Sequence, residues 1–257
     1  MLLYRLGPEG FYAVQDESGK ARYLHSDPFE DPVGGWQTGR VVDVDTVPLL
    51  VPVQPQKIVG IGRNYVSHAR ELDNPVPEEP LIFLKAPSSV IGPTAPIVLP
   101  PESERVDFEG EIAVVLKSTL RRVDSRQAAR GILGVCAACD VTARDLQRRD
   151  ATFARAKSFD TFCPLGPAIR VGADLADLSL TTRVDGEVRQ EGRVAEMIFD
   201  IPFLVSYVSQ IMTLHPGDVI LTGTPEGVGP LKDGESVEVE VSGLPPLVNP
   251  VEALSGL

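Results

Sequence analysis

Apolar positions along this chain fall into short runs broken by glycine, proline and acidic clusters, a pattern that predicts strands more often than helices. Near the N-terminus "LLYRL", "FYAVQ" and "ARYLH" read as short strands. "VPLLVPVQPQK" then carries three prolines, which suits an extended connector better than a helix. A boundary is placed there, giving a small N-terminal β-domain over 1–53 and a main domain over 57–257. From Lys57 the pattern strengthens: "KIVGIG" predicts a buried strand, "NYVSHARELDN" a short helix, and "LIFLKAP", "PIVLPP" and "EGEIAVVLK" further strands. "DSRQAARGILG" predicts a helix capped by Asp124 or Ser125, "VCAACDV" a strand, and "TARDLQRRD" a helical turn or two. "FLVSYVSQIM" has Phe203, Tyr207, Val208 and Ile211 at a helical period, and "HPGDVILTGTPEGVG" is a turn, a buried strand and a glycine-rich loop. The tail "ESVEVEVSG" alternates as a half-exposed strand does. Strands outnumber helices and do not alternate with them regularly, so the expected class is a β-rich α+β fold.

Composition narrows the function classes. With 257 residues, 43% of them apolar, the chain can bury a large core. Its formal charge of −12 argues against nucleic acid or an anionic membrane as partner. A small anionic substrate stays open, because a metal and a few basic groups reverse the sign locally. The three cysteines, Cys136, Cys139 and Cys163, form no disulfide framework, which suits a reducing, cytoplasmic setting. "CAAC" has redox spacing, but on a strand its cysteines point to opposite faces, so no redox or zinc role is expected. The N-terminus shows no signal-peptide pattern, and no apolar run approaches a membrane span. "GIGRNY" fails as a dinucleotide fingerprint because Tyr65 stands where the third glycine belongs.

The chemistry is concentrated in a few stretches. In "VDFEGEIAVVL", Asp107, Glu109 and Glu111 fall on one strand face, leading into a fully apolar run. Either this is an edge strand with solvated acids, or the row meets arginines or a hard divalent cation with oxygen ligands. Asp140, where "VCAAC" gives way to a polar segment, is the candidate third ligand, with helix N-cap as its other reading. His68 and Glu71 sit at i and i+3 on the short helix, so the carboxylate can orient the imidazole; a surface ion pair is the alternative. Lys157, among aromatic and small residues in "RAKSFDTFCPLG", is a candidate to face an anion. Thr224 in "TGTPEGVG" offers a hydroxyl and neighbouring backbone N–H groups to an oxyanion, unless the loop is only a turn.

Taken together, "GIGRNYVSHARE", "EEPLIFLKAPSSVIGP", "RVDFEGEIAVVL", "CDVTARDLQ", "AKSFDTFCPLGP", "TRVDGEVRQ" and "MTLHPGDVILTGTPEGVGPL" closely resemble the fumarylacetoacetate hydrolase family, in its order and spacing from about Lys57 to the end. The resemblance implies a mixed β-sandwich roll, often homodimeric, carrying Mg²⁺ or Mn²⁺. It implies Glu109, Glu111 and Asp140 as metal ligands, His68, Glu71 and Lys157 as catalytic residues, and Arg63, Gln147 and Thr224 as substrate-binding residues. Cys139 stands where asparagine is common. The first 53 residues resemble, loosely, the small β-domain of bacterial members. Family substrates are small 2-oxo acids or dicarboxylates, with the metal acting as a Lewis acid that stabilises an enolate. That enolate serves C–C hydrolysis, decarboxylation and keto–enol isomerisation alike. The competing expectation is a metal-stabilised binding or structural protein without catalysis.

Overall fold

The computed structural model describes residues 1–30, 36 and 38–254. Among them the strands form one large mixed sheet and two smaller ones. The central strand of the large sheet, Gly110–Leu116, is apolar after Glu111 and buried at every position. Its alternate side chains enter different clusters: Ile112, Val114 and Leu116 join one, Ala113 and Val115 the other. Both faces are covered, so the run shows no polar alternation.

This strand pairs antiparallel with Ile132–Cys139 on one side and Val219–Leu221 on the other. The sheet continues through Ile58–Gly62, parallel to Val219–Leu221, and ends at Leu81–Lys85. In the other direction Ile132–Cys139 pairs with Cys163–Val171, and that strand pairs with the N-terminal Leu2–Leu6. Phe11–Gln15, Ala21–Leu24 and Thr38–Val42 follow outward. The N-terminal strands therefore extend the main sheet, and Leu3 and Leu6 are fully buried. A division into 1–53 and 57–257 crosses this shared sheet and is kept as a proposal about folding units.

A five-stranded sheet, in the order Glu187–Arg193, Ser179–Val184, Ser236–Val241, Leu247–Ala253 and Ile97–Leu99, packs on one face of the main sheet and completes the sandwich. The approach is closest at Gly110, where an added Cβ would lie 1.9 Å from Thr182 Oγ1. Only glycine fits at that crossing. On Ser179–Val184 and Ser236–Val241 burial alternates along the strand, as half-covered strands require.

Two helices pack against each other beside the sheets. Ser125–Gly131 begins in a capping box, with Asp124 accepting from Gln127 N–H at 2.7 Å and the Gln127 side chain accepting from Asp124 N–H at 3.2 Å. Ile201–Ile211 starts at Asp200, which accepts from Phe203 N–H at 2.8 Å, with Pro202 in its first turn. Its phase differs from the sequence expectation. Ile201, Leu204, Val205 and Val208 face inward, whereas Phe203 and Ile211 are 40% and 59% exposed. Phe203, Tyr207 and Ile211 fit the same period as the buried set, one position round the helix. Their rings stack outside instead, Phe199 on Phe203 at 5.7 Å and Phe203 near Tyr207 at 6.1 Å. No helix of the described residues is long and apolar enough to cross a membrane.

Candidate active site

The parity of two neighbouring strands builds the floor of the site. Glu111 points to the same face as Ala113 and Val115, away from the five-stranded sheet. Across the ladder Gly110 pairs with Cys139, and one step beyond, Asp140 N–H donates to the Glu109 carbonyl at 2.8 Å. Asp140 thus shares the face of Cys136 and Ala138 and meets Glu109 and Glu111 side by side. It does not cap the helix Arg144–Arg149, whose N-cap is Ala143. The same parity places Cys136 and Cys139 on opposite faces, in different clusters.

Of the three acids read as one row, Asp107 is separated from the other two. It belongs to the short strand Val106–Phe108, in a separate three-stranded sheet. There it is fully buried between Arg105 (2.8 Å) and Arg144 (2.9 Å). The chain breaks its strand at Glu109, which turns the remaining two carboxylates into a cavity of about 230 Å³.

Ligand oxygens of Glu109, Glu111 and Asp140 lie within 4.8 Å of one another, all three residues buried. Oxygens sharing one hard cation at about 2.0–2.6 Å are separated by no more than about 4–5 Å, so the donor set fits Mg²⁺, Mn²⁺ or Ca²⁺ in size and chemistry. Asp140 Oδ1 strengthens the fit: it lies 2.7 Å from the Lys85 ammonium as an ion pair, yet accepts no well-directed hydrogen bond. A lone pair there is left for a further ligand.

Cations of the protein already stand against these acids. Lys157 Nζ donates to Glu109 at 2.6 Å and Asp140 at 2.5 Å, over the ring of Phe83. Arg144 donates to Asp107, to Glu109 at 2.6 Å and to the Gln147 side-chain Oε1 at 2.7 Å. Lys85 also donates to the Lys157 carbonyl. Burial alone would raise the Glu109 carboxyl, but Lys157, Arg144 and His68 hold it well below the usual carboxylate range. Glu111 goes the other way, pushed up by burial and by Asp140 beside it. Burial opposes the Lys157 charge as well, yet Asp140 and Glu109 outweigh it and keep the ammonium protonated.

His68 is 5% exposed and forms part of the cavity wall. Its Nδ1 lies 3.4 Å from Glu71, whose other oxygen accepts from Gly227 N–H at 3.0 Å. Glu71 stands behind the imidazole and not in the wall. Burial lowers the imidazole pKa, against the opposing pull of Glu109 and Glu71, and so favours the neutral ring. With Nδ1 facing a carboxylate, Nε2 is the nitrogen available as a base.

Arg63, Gln147, Lys157 and Thr224 also line the cavity, so it gathers every candidate site residue except Glu71. Thr224 uses its hydroxyl differently from the expectation. It donates to the Gly110 carbonyl at 2.8 Å and accepts from Gln190 at 2.7 Å, leaving no hydroxyl proton for an oxyanion. The loop contributes elsewhere: Gly223 N–H donates to Glu111 at 2.7 Å. Gly223 has φ +99°, and an added Cβ would come within 2.7 Å of Asn64. Sequence reasoning missed Arg144, Lys85 and Arg148. The available signal for Arg144 was a charge three positions before Gln147 in the polar segment that follows Asp140.

Comparison with known proteins agrees with this architecture. The model of the fumarylacetoacetate (FAA) hydrolase C-terminal domain matches residues 57–252. A human protein named oxaloacetate tautomerase FAHD2A, mitochondrial, is 44% identical over 218 residues, covering 80% of this chain and 69% of its own. The crystal structure of 5-carboxymethyl-2-hydroxymuconate delta-isomerase from Mycobacterium smegmatis superposes with a TM-score of 0.90 at 42% identity, over 98% of this chain and 100% of that one. That of 2-hydroxyhepta-2,4-diene-1,7-dioate isomerase from Mycobacterium marinum gives 0.89 at 39% identity, over 100% of both.

Proposed function

This chain belongs to the fumarylacetoacetate hydrolase family, and within it we propose a divalent-cation-dependent enzyme that interconverts the keto and enol forms of a small 2-oxo acid. The observation that carries this reading is the convergence, in one cavity, of three buried carboxylates suited to a single cation with a buried imidazole backed by Glu71. The tautomerase and isomerase names of its relatives favour proton transfer over hydrolysis or decarboxylation.

Glu109, Glu111 and Asp140 would hold Mg²⁺ or Mn²⁺, which when bound supplies the Lewis acidity that loosens a proton on carbon next to a 2-oxo group. His68 Nε2 takes that proton and returns it, while Glu71 steadies the ring and the charge it gains. Lys157 stays charged beside its carboxylate partners and stabilises negative charge developing on oxygen. Arg144 keeps Glu109 ionised and turns the Gln147 amide so that its N–H groups remain free for substrate. Phe83 and Phe153 pack edge to face at 5.7 Å and give the cavity an apolar wall. The protein is further proposed to act as a homodimer in the cytoplasm, with the assembly read by light scattering.

The test follows enol absorbance of oxaloacetate with Mn²⁺ and with EDTA, alongside acylpyruvate cleavage and release of carbon dioxide. His68→Ala should slow tautomerisation by roughly 10²- to 10⁴-fold, the usual worth of a general base. A parental rate in that variant overturns the assignment of the base.

A further inference from the structure

The acids beneath the cavity are already matched in number by cations of the protein itself. Asp107, Glu109, Glu111 and Asp140 are four carboxylates, and Arg105, Arg144, Lys85 and Lys157 are the four cations paired with or packed among them. A divalent cation adds two positive charges there. Arg63 and Arg148 add two more to the same wall, and neither makes a side-chain hydrogen bond or ion pair among the described residues. A 2-oxo monocarboxylate compensates one charge of this surplus. A dianion compensates two.

Both guanidiniums are placed by the backbone. Arg144, Gln147 and Arg148 are i, i+3 and i+4 on the helix Arg144–Arg149, so one helix face lines the cavity. Arg144, on that face, is tied down by Asp107 and Glu109, whereas Arg148, one turn further, is exposed toward solvent. Arg63 comes from the turn between the strand Ile58–Gly62 and the His68 helix. Its backbone is left-handed, at φ +59°, a conformation that costs a residue with a side chain energy. The next residue holds it there: Asn64 donates to the Thr222 carbonyl at 2.8 Å and the Phe199 carbonyl at 3.1 Å, and accepts from Phe199 N–H at 2.9 Å. A strained turn, clamped by a buried amide, thus brings a half-buried arginine without a partner to the cavity.

We propose that Arg148, together with Arg63, binds a second, distal carboxylate of the substrate, so that the site selects 2-oxo dicarboxylates over 2-oxo monocarboxylates. The proposal rests on the 2-oxo acid reading above and adds a specificity-determining residue to it. The cavity, at about 230 Å³, is below the roughly 300–1,000 Å³ of sites for drug-sized ligands and suits a short diacid. Guanidinium is the group best matched to a carboxylate, through paired N–H donors.

The experiment compares oxaloacetate with its 4-ethyl ester, which differ at the distal charge, by calorimetry and by turnover on the Mn²⁺-loaded protein. The parent should bind and turn over the diacid better. Arg148→Met should weaken the diacid about tenfold to a hundredfold, the worth of a charge-assisted hydrogen bond, and leave the ester unchanged. Arg149→Met, on the same helix but outside the cavity wall, should alter neither ligand. Equal affinity of the parent for both ligands, no binding of either, or an equal loss for both in Arg148→Met overturns the proposal. A diacid preference abolished in Arg148→Met but without turnover of any 2-oxo acid supports this site and removes the catalytic reading. Turnover that is insensitive to Arg148 does the reverse.

Discussion

Gly110→Ala offers a demanding test of how the floor is built. The new Cβ would lie 1.9 Å from Thr182 Oγ1 and 3.2 Å from both Thr182 Cβ and Gln190 Oε1. The first contact is more than an ångström short of the roughly 3.5 Å at which non-bonded heavy atoms rest. Thr182 cannot retreat easily, because its strand is paired on both sides. Overpacking of this kind costs about 1–3 kcal/mol, which for a chain of this size lowers Tm by about 2–4 °C per kcal/mol. The carboxylates on either side of Gly110 should move with it, so Mn²⁺ affinity should fall as well. Thr182 Oγ1 is buried without a hydrogen-bond partner, so Thr182→Ala alone should be nearly neutral. Combined with Gly110→Ala it removes the worst contact and should restore at least half of the lost stability and metal affinity. Denaturant melts and Mn²⁺ calorimetry on the two single variants and the double form a cycle, with a coupling expected above about 1 kcal/mol. Strict additivity, or a stable Gly110→Ala with parental metal affinity, would refute the crowding argument.

Lys85→Met removes the ion-pair partner of Asp140 Oδ1 and should destabilise the metal-free protein by about 3–5 kcal/mol, with part regained at saturating Mn²⁺; melts with and without the ion decide, and an identical loss in both contradicts the role given to Lys85. Because burial lowers the His68 pKa, the acid limb of kcat should fall below the ordinary imidazole range, and Glu71→Gln, which removes a group that raises that pKa, should move it lower still. A limb above that range would count against a neutral base. Burial pushes the thiols of Cys139 and Cys163 up to about 12 and that of Cys136 higher, so native protein should resist alkylation that denatured protein undergoes at all three; rapid labelling of the native chain would contradict their burial.

What was legible in the sequence is what depends on local periodicity. A period of two put Glu109 and Glu111 on one face, and the end of the run "VCAAC" pointed to Asp140. Periodicity could not see that the chain would break at Glu109 and send Asp107 to two arginines. Nor could it choose between two overlapping faces of Ile201–Ile211, since Phe203, Tyr207 and Ile211 repeat as regularly as Leu204 and Val208. Lys85 ends an apolar strand, where a lysine ordinarily reaches water; its partner lies 55 residues away and only tertiary pairing reveals it. The docking of Leu2–Leu6 on Cys163–Val171 is non-local in the same way.

Gln190 reaches from the five-stranded sheet into the seam: it accepts from Gly110 N–H at 2.9 Å and donates to Thr224 and to the Pro225 carbonyl. One side chain therefore fastens the strand that presents Glu111 to the loop that presents Gly223. The three carboxylates are masonry, set where sheets meet, while the outer wall is furnished by a short helix and a turn. Under the proposed selectivity, exchanging Arg148 would change what the doorway admits while every hydrogen bond of the Gln190 seam stays in place.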